Sequence, residues 1–272
     1  MIPAPFDYVR VDSAEAAIAA LAEHGDEAKL LAGGMSLLPL MKLRLATPSV
    51  IVDVGRLRDL SYVRDGGDHV AIGGLTRHRD LETSALLEDR CGALRAVAAE
   101  VGDNQVRHRG TIGGSVAHGD PASDLPAVLL ALDATFVLRG GSGERTVPAS
   151  EFFLGFLETA LAPDELLTEI RVPHAIGGFS YQKFNRRAQD WAIVGAVAVT
   201  NGSTRVALVN MGSTPLRAAG VEAALASGAS VADAAQHAAD GTEPPADLNA
   251  GPEFREHLAR VLVRRALEAA SA

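Results

Sequence analysis

Apolar residues recur along this chain in two rhythms, and together these predict most of its elements. Ala16, Ala17, Ala20 and Leu21 repeat at helical spacing, so a helix is expected from Asp12 to His24. Asp12 is the expected cap, Glu15 follows three residues on, and Gly25 is the stop. Lys29–Ala32 reads as a short strand running into Gly33-Gly34, after which Ser36 is expected to cap a helix over Leu37–Leu43. The β-branched run Ser49–Val54 reads as a buried strand, which completes a small α/β unit. A strand is then expected at His69–Gly73, with helices at Arg79–Leu87 and Ala93–Val101. Residues 102–124 carry Gly, Asp, His and Pro without an apolar period and are expected to form one long loop, a length that is usually functional.

After that stretch, a helix is predicted at Leu125–Leu132 and strands at Thr135–Arg139 and Leu166–Val172, with Gly140–Gly143 as a turn. Pro173–Gly178 reads as a boundary. Phe179–Arg186, Ala192–Thr200 and Arg205–Met211 then look like an antiparallel meander, with Asn201-Gly202 as a hairpin turn. Helical patterns cover 218–227, 230–239 and 253–270, so this part is α+β by its order of elements.

Composition narrows the function classes. The 272 residues are 47% apolar with a net charge of −9, enough for a sizeable core and unsuited to nonspecific nucleic-acid binding. The basic residues between 255 and 265 (Arg255, His257, Arg260, Arg264, Arg265) are helix-spaced among glutamates and read as a solvated face or subunit contact. Cys91 is the only cysteine, so no disulfide, cysteine-ligated zinc or iron–sulfur cluster can be built within this chain. With no basic N-terminal region followed by an apolar run, a cytoplasmic location is expected.

Candidate chemistry lies at two glycine pairs: Ala32-Gly33-Gly34-Met35-Ser36 and Thr111-Ile112-Gly113-Gly114-Ser115. Gly-Gly turns let backbone N–H groups converge on an anion, and two such nests facing each other suit the two phosphates of a dinucleotide. Gly113 is expected to need its positive-φ freedom for this. The glycines do not fit the Gly-x-Gly-x-x-Gly dinucleotide fingerprint. Asp124 is open to two readings, acceptor of sugar hydroxyls or cap of the following helix. No nucleophile elbow or P-loop is present, and no carboxylate is marked as a general acid, so no catalytic residue and no metal site are assigned. A bound cofactor would supply any chemistry.

Taken together, residues 32–44, Thr111–Ser115, Pro121–Asp124, the N-terminal Met1–Tyr8 and Lys183–Ala192 resemble the FAD-binding medium subunits of molybdenum hydroxylases, the xanthine dehydrogenase superfamily. The likeness is greatest to the aerobic carbon monoxide dehydrogenases and spans the chain. It implies an α+β, two-subdomain FAD-binding fold of the vanillyl-alcohol-oxidase type plus a C-terminal α/β subdomain, divided at 1–57, 58–176 and 177–272. It places Ala32, Gly33, Gly34, Met35 and Ser36 on the FAD pyrophosphate, with Leu30 and Leu31 at the entry, and brings Thr111–Ser115 to the same group. Asp124 falls near the ribityl or ribose hydroxyls and Lys183 near the flavin. Trp191 matches an aromatic beside the isoalloxazine, or else packs in the core.

The resemblance further implies partners: a small subunit with two [2Fe–2S] clusters and a large subunit with a molybdopterin cofactor, assembled as a dimer of heterotrimers. Electrons would pass from the clusters to FAD and on to an external acceptor, through which the complex would associate loosely with the membrane. Carbon monoxide is the favoured substrate, ahead of aldehydes and N-heterocycles. The competing classes are a stand-alone FAD-dependent oxidase or dehydrogenase of the same fold and a nonenzymatic nucleotide-binding module.

Overall fold

The computed structural model describes residues 2–272; Met1, the first residue of the N-terminal motif, lies outside the described residues. The first unit comprises β1 (Asp7–Arg10), α1 (Ala14–His24), β2 (Ala28–Leu31), α2 (Leu37–Lys42) and β3 (Val50–Asp53). Its three strands form a parallel sheet in the order β1-β3-β2. Ser13, not Asp12, caps α1: its hydroxyl accepts the Ala16 N–H at 3.1 Å, whereas Asp12 lies one residue too early to reach the first turn. Gly25, at φ 55°, ends the helix as expected.

The second unit runs through β4 (Val63–Asp65), β5 (His69–Gly73), α3 (His78–Glu82), α4 (Ala85–Arg90), α5 (Gly92–Ala99), α6 (Asn104–Arg109), α7 (Ile112–His118) and α8 (Asp124–Ala131). It continues with β6 (Thr135–Gly140), β7 (Gly143–Pro148), α9 (Ala149–Phe152), β8 (Phe153–Gly155), β9 (Glu158–Thr159) and β10 (Leu166–Pro173). Five strands pair as an antiparallel sheet, β4-β5-β10-β6-β7, with the helices packed over it. Two expectations are corrected here. The Arg79–Leu87 helix is broken at Ser84, whose hydroxyl accepts the Leu87 N–H and so starts α4 afresh. The 102–124 loop is largely helical: Asp103 caps α6, Thr111 caps α7, and Gly119 at φ 66° closes α7. Only Ile112 and Val116 of α7 are large and apolar, too few to show a period.

The third unit is the meander β11 (Gly178–Phe184), β12 (Val194–Asn201), β13 (Ser203–Val209) and β14 (Leu216–Arg217), which turns at Gly202 (φ 75°) as expected. The helices α10 (Ala219–Ala226), α11 (Val231–Ala234) and α12 (Pro252–Ala270) follow. The meander is buried on both faces. Val197, Val199, Ala207 and Val209 join the core of the second unit, while Val194, Ala196, Ala198, Val206 and Leu208 face α12 and its neighbours. This shared core fixes the third unit on the second, and with it the loop between β11 and β12.

Arg255 departs from its expected place on a solvated face. It lies on the same stripe of α12 as Leu258, Ala259 and Leu262 and is fully buried. Its guanidinium donates to the Ile193 carbonyl and, at 2.7 Å, to Asp247. Arg260 and Arg264 do lie outside, in i,i+4 pairs with Glu256 and Glu268. Arg255→Ala should lower the unfolding free energy by about 2–3 kcal/mol, because it empties a fully buried position and leaves the Ile193 carbonyl without its donor. Urea denaturation with an unchanged m-value would check this.

Candidate functional site

Both glycine motifs reach the same place because neither carries a side chain there. A Cβ on Gly33 would overlap the Arg109 carbonyl oxygen and lie 2.9 Å from the Gly110 Cα. The loop after β2 thus crosses directly over the turn between α6 and α7. Gly34 takes φ 78°, a left-handed conformation that turns the loop back toward α2. The N–H groups of Gly33, Gly34, Met35 and Ser36 find no acceptor among the described residues. Such a run of free donors around a positive-φ glycine has the geometry of concavities that hold anions.

These donors border a cavity of about 650 Å³, within the usual range for a bound small molecule. Its walls include Leu30, Ala32, Gly33, Gly34, Met35 and Ser36 from the first unit and Thr111, Gly113, Gly114, Ser115 and Asp124 from the second. Lys183 and Trp191 reach it from the third unit. Two candidates stand off the wall. Leu31 supports the loop from beneath, its Cδ1 lying 3.2 Å from where a Gly34 Cβ would be. Ile112 is fully buried on the inward side of α7. Trp191 is 56% exposed, which removes the core-packing alternative and leaves the indole at the cavity mouth.

The second glycine motif is not an open nest. It forms the first turn of α7, and its N–H groups are already engaged: Ile112 with the Thr76 carbonyl, Gly113 with the Gly74 carbonyl, Gly114 with the Thr111 hydroxyl and Ser115 with the Thr111 carbonyl. Gly113 has no positive φ. Its need for glycine is a close approach instead, since a Cβ would overlap the Gly74 carbonyl oxygen and lie 2.8 Å from the Gly74 Cα. The pair Gly73-Gly74 is therefore a third glycine signal, visible in the sequence at the end of a strand and not singled out there.

Asp124 is neither cap nor free carboxylate. Ser123 holds the N-cap position, and Asp124 is the first residue of α8. One carboxylate oxygen accepts from the Tyr181 hydroxyl and the other from Lys183 Nζ at 2.9 Å. Lys183 Nζ also donates to the Glu100 carbonyl at 3.0 Å. Both members of the ion pair are more than nine-tenths buried. Burial pushes the Asp124 carboxyl above the usual carboxylate range, against the opposing pull of Lys183 and Tyr181. The network ties β11 to α8 at the cavity wall.

Local sequence carries no mark of the cavity residue His78. It is buried beside Gly110, donates its backbone N–H to the Gly110 carbonyl at 3.1 Å, and has an enclosed Nδ1 with no partner. Burial, reinforced by Arg77 and Arg107, lowers its pKa to about 4. Only the fold brings this ring to the glycine crossing.

The comparisons decide the family. Residues 4–175 match the model of the FAD-binding domain in molybdopterin dehydrogenase, and residues 179–270 match the C-terminal domain of carbon monoxide dehydrogenase flavoprotein. The chain belongs to this family. It is 43% identical to the carbon monoxide dehydrogenase medium chain of Hydrogenophaga pseudoflava, over 99% of this chain and 98% of that one. It is 38% identical to the alpha subunit of the 6-hydroxypseudooxynicotine dehydrogenase complex of Paenarthrobacter nicotinovorans, over 98% and 95%. Among solved structures it matches the H. pseudoflava carbon monoxide dehydrogenase that lacks the Mo-pyranopterin moiety, with a TM-score of 0.96 and 44% identity over 100% and 99% of the two chains. The resemblance drawn from the motifs is therefore correct, and this flavoprotein subunit is an oxidoreductase component of carbon monoxide dehydrogenase-like molybdenum hydroxylases.

Two outcomes are expected of the flavoprotein itself. Gly113→Ala should destabilise it by about 1–3 kcal/mol through overpacking, while Gly141→Ala, where a Cβ meets open space, should stay within about 0.5 kcal/mol; thermal melts of both variants check this. His78 has an ordinary pKa of 6.5 when unfolded and about 4 in the fold. Its contribution to stability is thus complete above pH 6.5 and is lost as pH falls toward 4. Unfolding free energies across that range should fall less steeply in His78→Phe than in the wild type.

Proposed function

We propose that this chain holds FAD in the cavity at the glycine crossing and serves as the electron outlet of a three-subunit molybdenum hydroxylase. The observation that carries the reading is the row of unengaged N–H groups at Gly33–Ser36 on the cavity wall. Backbone donors of this kind hold a pyrophosphate without clustered cationic side chains, which suits a chain of net charge −9. Thr111, Gly114 and Ser115 bound the same space from α7, with Ser115 offering a hydroxyl. Leu30 and the buried Lys183–Asp124 pair line it, and the exposed Trp191 ring lies at its mouth, where it can limit access to a bound flavin. In the family's terms, residues 1–57 and 58–176 hold the cofactor between them and 177–272 form the C-terminal subdomain.

When bound, FAD accepts electrons one at a time from iron–sulfur centres and can release them in pairs. This chain's own residues bind and orient it; none is assigned to substrate oxidation. Cys91 is the only cysteine and is fully buried, so the [2Fe–2S] clusters belong to a small partner subunit and the molybdopterin cofactor to a large one. A dimer of such heterotrimers, located in the cytoplasm, is the proposed assembly. No helix among the described residues is long and apolar enough to cross a membrane. A loose membrane association through the electron acceptor is part of the proposal. Carbon monoxide is the favoured substrate, from the 43% identity to a carbon monoxide dehydrogenase medium chain. The 38% identity to a subunit of 6-hydroxypseudooxynicotine dehydrogenase supports an N-heterocycle as the second reading.

Titration of the full chain with FAD should give a yellow protein with one flavin per chain, and co-expression with the neighbouring subunits should bring iron and molybdenum through purification. A chain that takes up no flavin sinks the reading; flavin uptake without partner capture favours a stand-alone flavoprotein. Gly33→Ala should lose FAD while keeping its far-UV dichroism, because the added methyl forces the donor loop off the Arg109–Gly110 turn.

A further inference from the structure

The α7 wall, which adjoins the Gly33–Ser36 loop, has no free backbone donor at residues 112–115, since Ile112, Gly113, Gly114 and Ser115 all spend their N–H groups within the chain. Apart from the Thr111 N–H, which finds no acceptor among the described residues, a polar ligand on that side meets side chains. His78 stands on this wall with a ring that makes no hydrogen bond among the described residues. Its Nδ1 is enclosed. Its Nε2 edge lies along Gly110, a cavity residue, at 2.6 Å from where a Gly110 Cβ would sit.

The ring is held in place from several sides. The His78 N–H donates to the Gly110 carbonyl, Arg77 pairs in register with Thr111, and the Arg77 guanidinium donates to the Arg109 carbonyl. The same Arg109–Gly110 peptide carries the Gly33 crossing, which puts His78 beside the phosphate-binding loop. Its tautomer follows from the enclosure of Nδ1. Orphaned buried N–H groups are rarer in folded proteins than under-satisfied acceptors, so the enclosed nitrogen is assigned the lone pair and Nε2 the proton. Burial and the nearby Arg77 and Arg107 keep the ring uncharged.

We propose that His78 is a cofactor-contacting residue: a neutral imidazole that donates its Nε2 proton to the phosphate half of FAD. The inference rests on the FAD reading above. It adds a second side-chain donor, beside the Ser115 hydroxyl on the α7 wall, to the backbone donors of Gly33–Ser36. Because the donor is neutral, the contact keeps its strength across the neutral pH range.

The test uses the full chain, FAD followed by fluorescence, and ADP as a competitor that carries the phosphates without the flavin. His78→Phe, close in size, should bind FAD and ADP about tenfold more weakly, the loss of one hydrogen bond to a charged group. His78→Gln, which keeps a donor, should recover most of that loss. In the wild type, the ¹⁵N resonance of Nε2 should move on adding ADP while the tautomer stays the same, a signature that a merely structural ring would not give. Wild-type chain that binds no FAD overturns the FAD reading and this inference together. Wild-type chain that binds FAD while His78→Phe binds FAD and ADP equally well overturns the inference alone. So does a loss confined to FAD with ADP unaffected, or a ring whose proton sits on Nδ1.

Discussion

No side chain fits between Gly33 and the Arg109–Gly110 peptide, and the cavity exists in its present shape because of that contact. It sets the distance between the parallel sheet of the first unit and the helices of the second. Any larger residue at position 33 would push the two apart by the size of a methyl group. The same economy recurs at Gly113 on Gly74, where α7 lies against the end of β5. Two backbone-to-backbone contacts therefore position the walls, and each needs glycine for space rather than for an unusual φ. Within the two glycine motifs, Gly34, at φ 78°, is the one used for its conformational freedom.

The third unit is fixed by a different kind of interaction. Its meander is apolar on both faces, so separating it from the second unit would expose Val197, Val199, Ala207 and Val209 to water. On top of that nonspecific attraction, the Tyr181–Asp124–Lys183 network sets the alignment of β11 against α8. Charges this deeply enclosed are poor sources of net stability, but an unpaired one is costly, so they discriminate strongly against displaced packings. The consequence for the site is that Lys183 and the loop bearing Trp191 are held at the cavity, although they lie far from the glycine motifs in sequence.

The two glycine motifs divide the work unequally. Residues 33–36 keep their N–H groups free and face the cavity, whereas residues 112–115 engage theirs to build a helix start. From sequence the two look alike, a Gly-Gly pair with a hydroxyl residue alongside. What separates them is the neighbour. The Thr76 and Gly74 carbonyls lie beneath the second motif and take two of its donors, Thr111 takes the other two, and nothing of the kind lies beneath the first. His78 comes to the cavity through the same neighbour, since the segment that follows Gly74 carries it there.

The sequence by itself determined the local elements whose cause is local. The helix ending at Gly25, the strand His69–Gly73, the hairpin at Gly202 and the final helix follow from spacing, β-branching and turn residues within a few positions. It also determined the family, because motifs over the whole length occur in a fixed order. Tertiary structure alone decided which polar groups remain free. The burial of Arg255 against the Ile193 carbonyl, the pairing of Asp124 with Lys183 and Tyr181, the anchoring of the first turn of α7 on the Thr76 and Gly74 carbonyls and the place of His78 all depend on partners tens of residues away. A hydrogen-bonding group looks the same in sequence whether its partner is water, a ligand or a distant carbonyl. Only packing the units together shows that Gly33–Ser36 still have donors to offer and that Ile112–Ser115 do not.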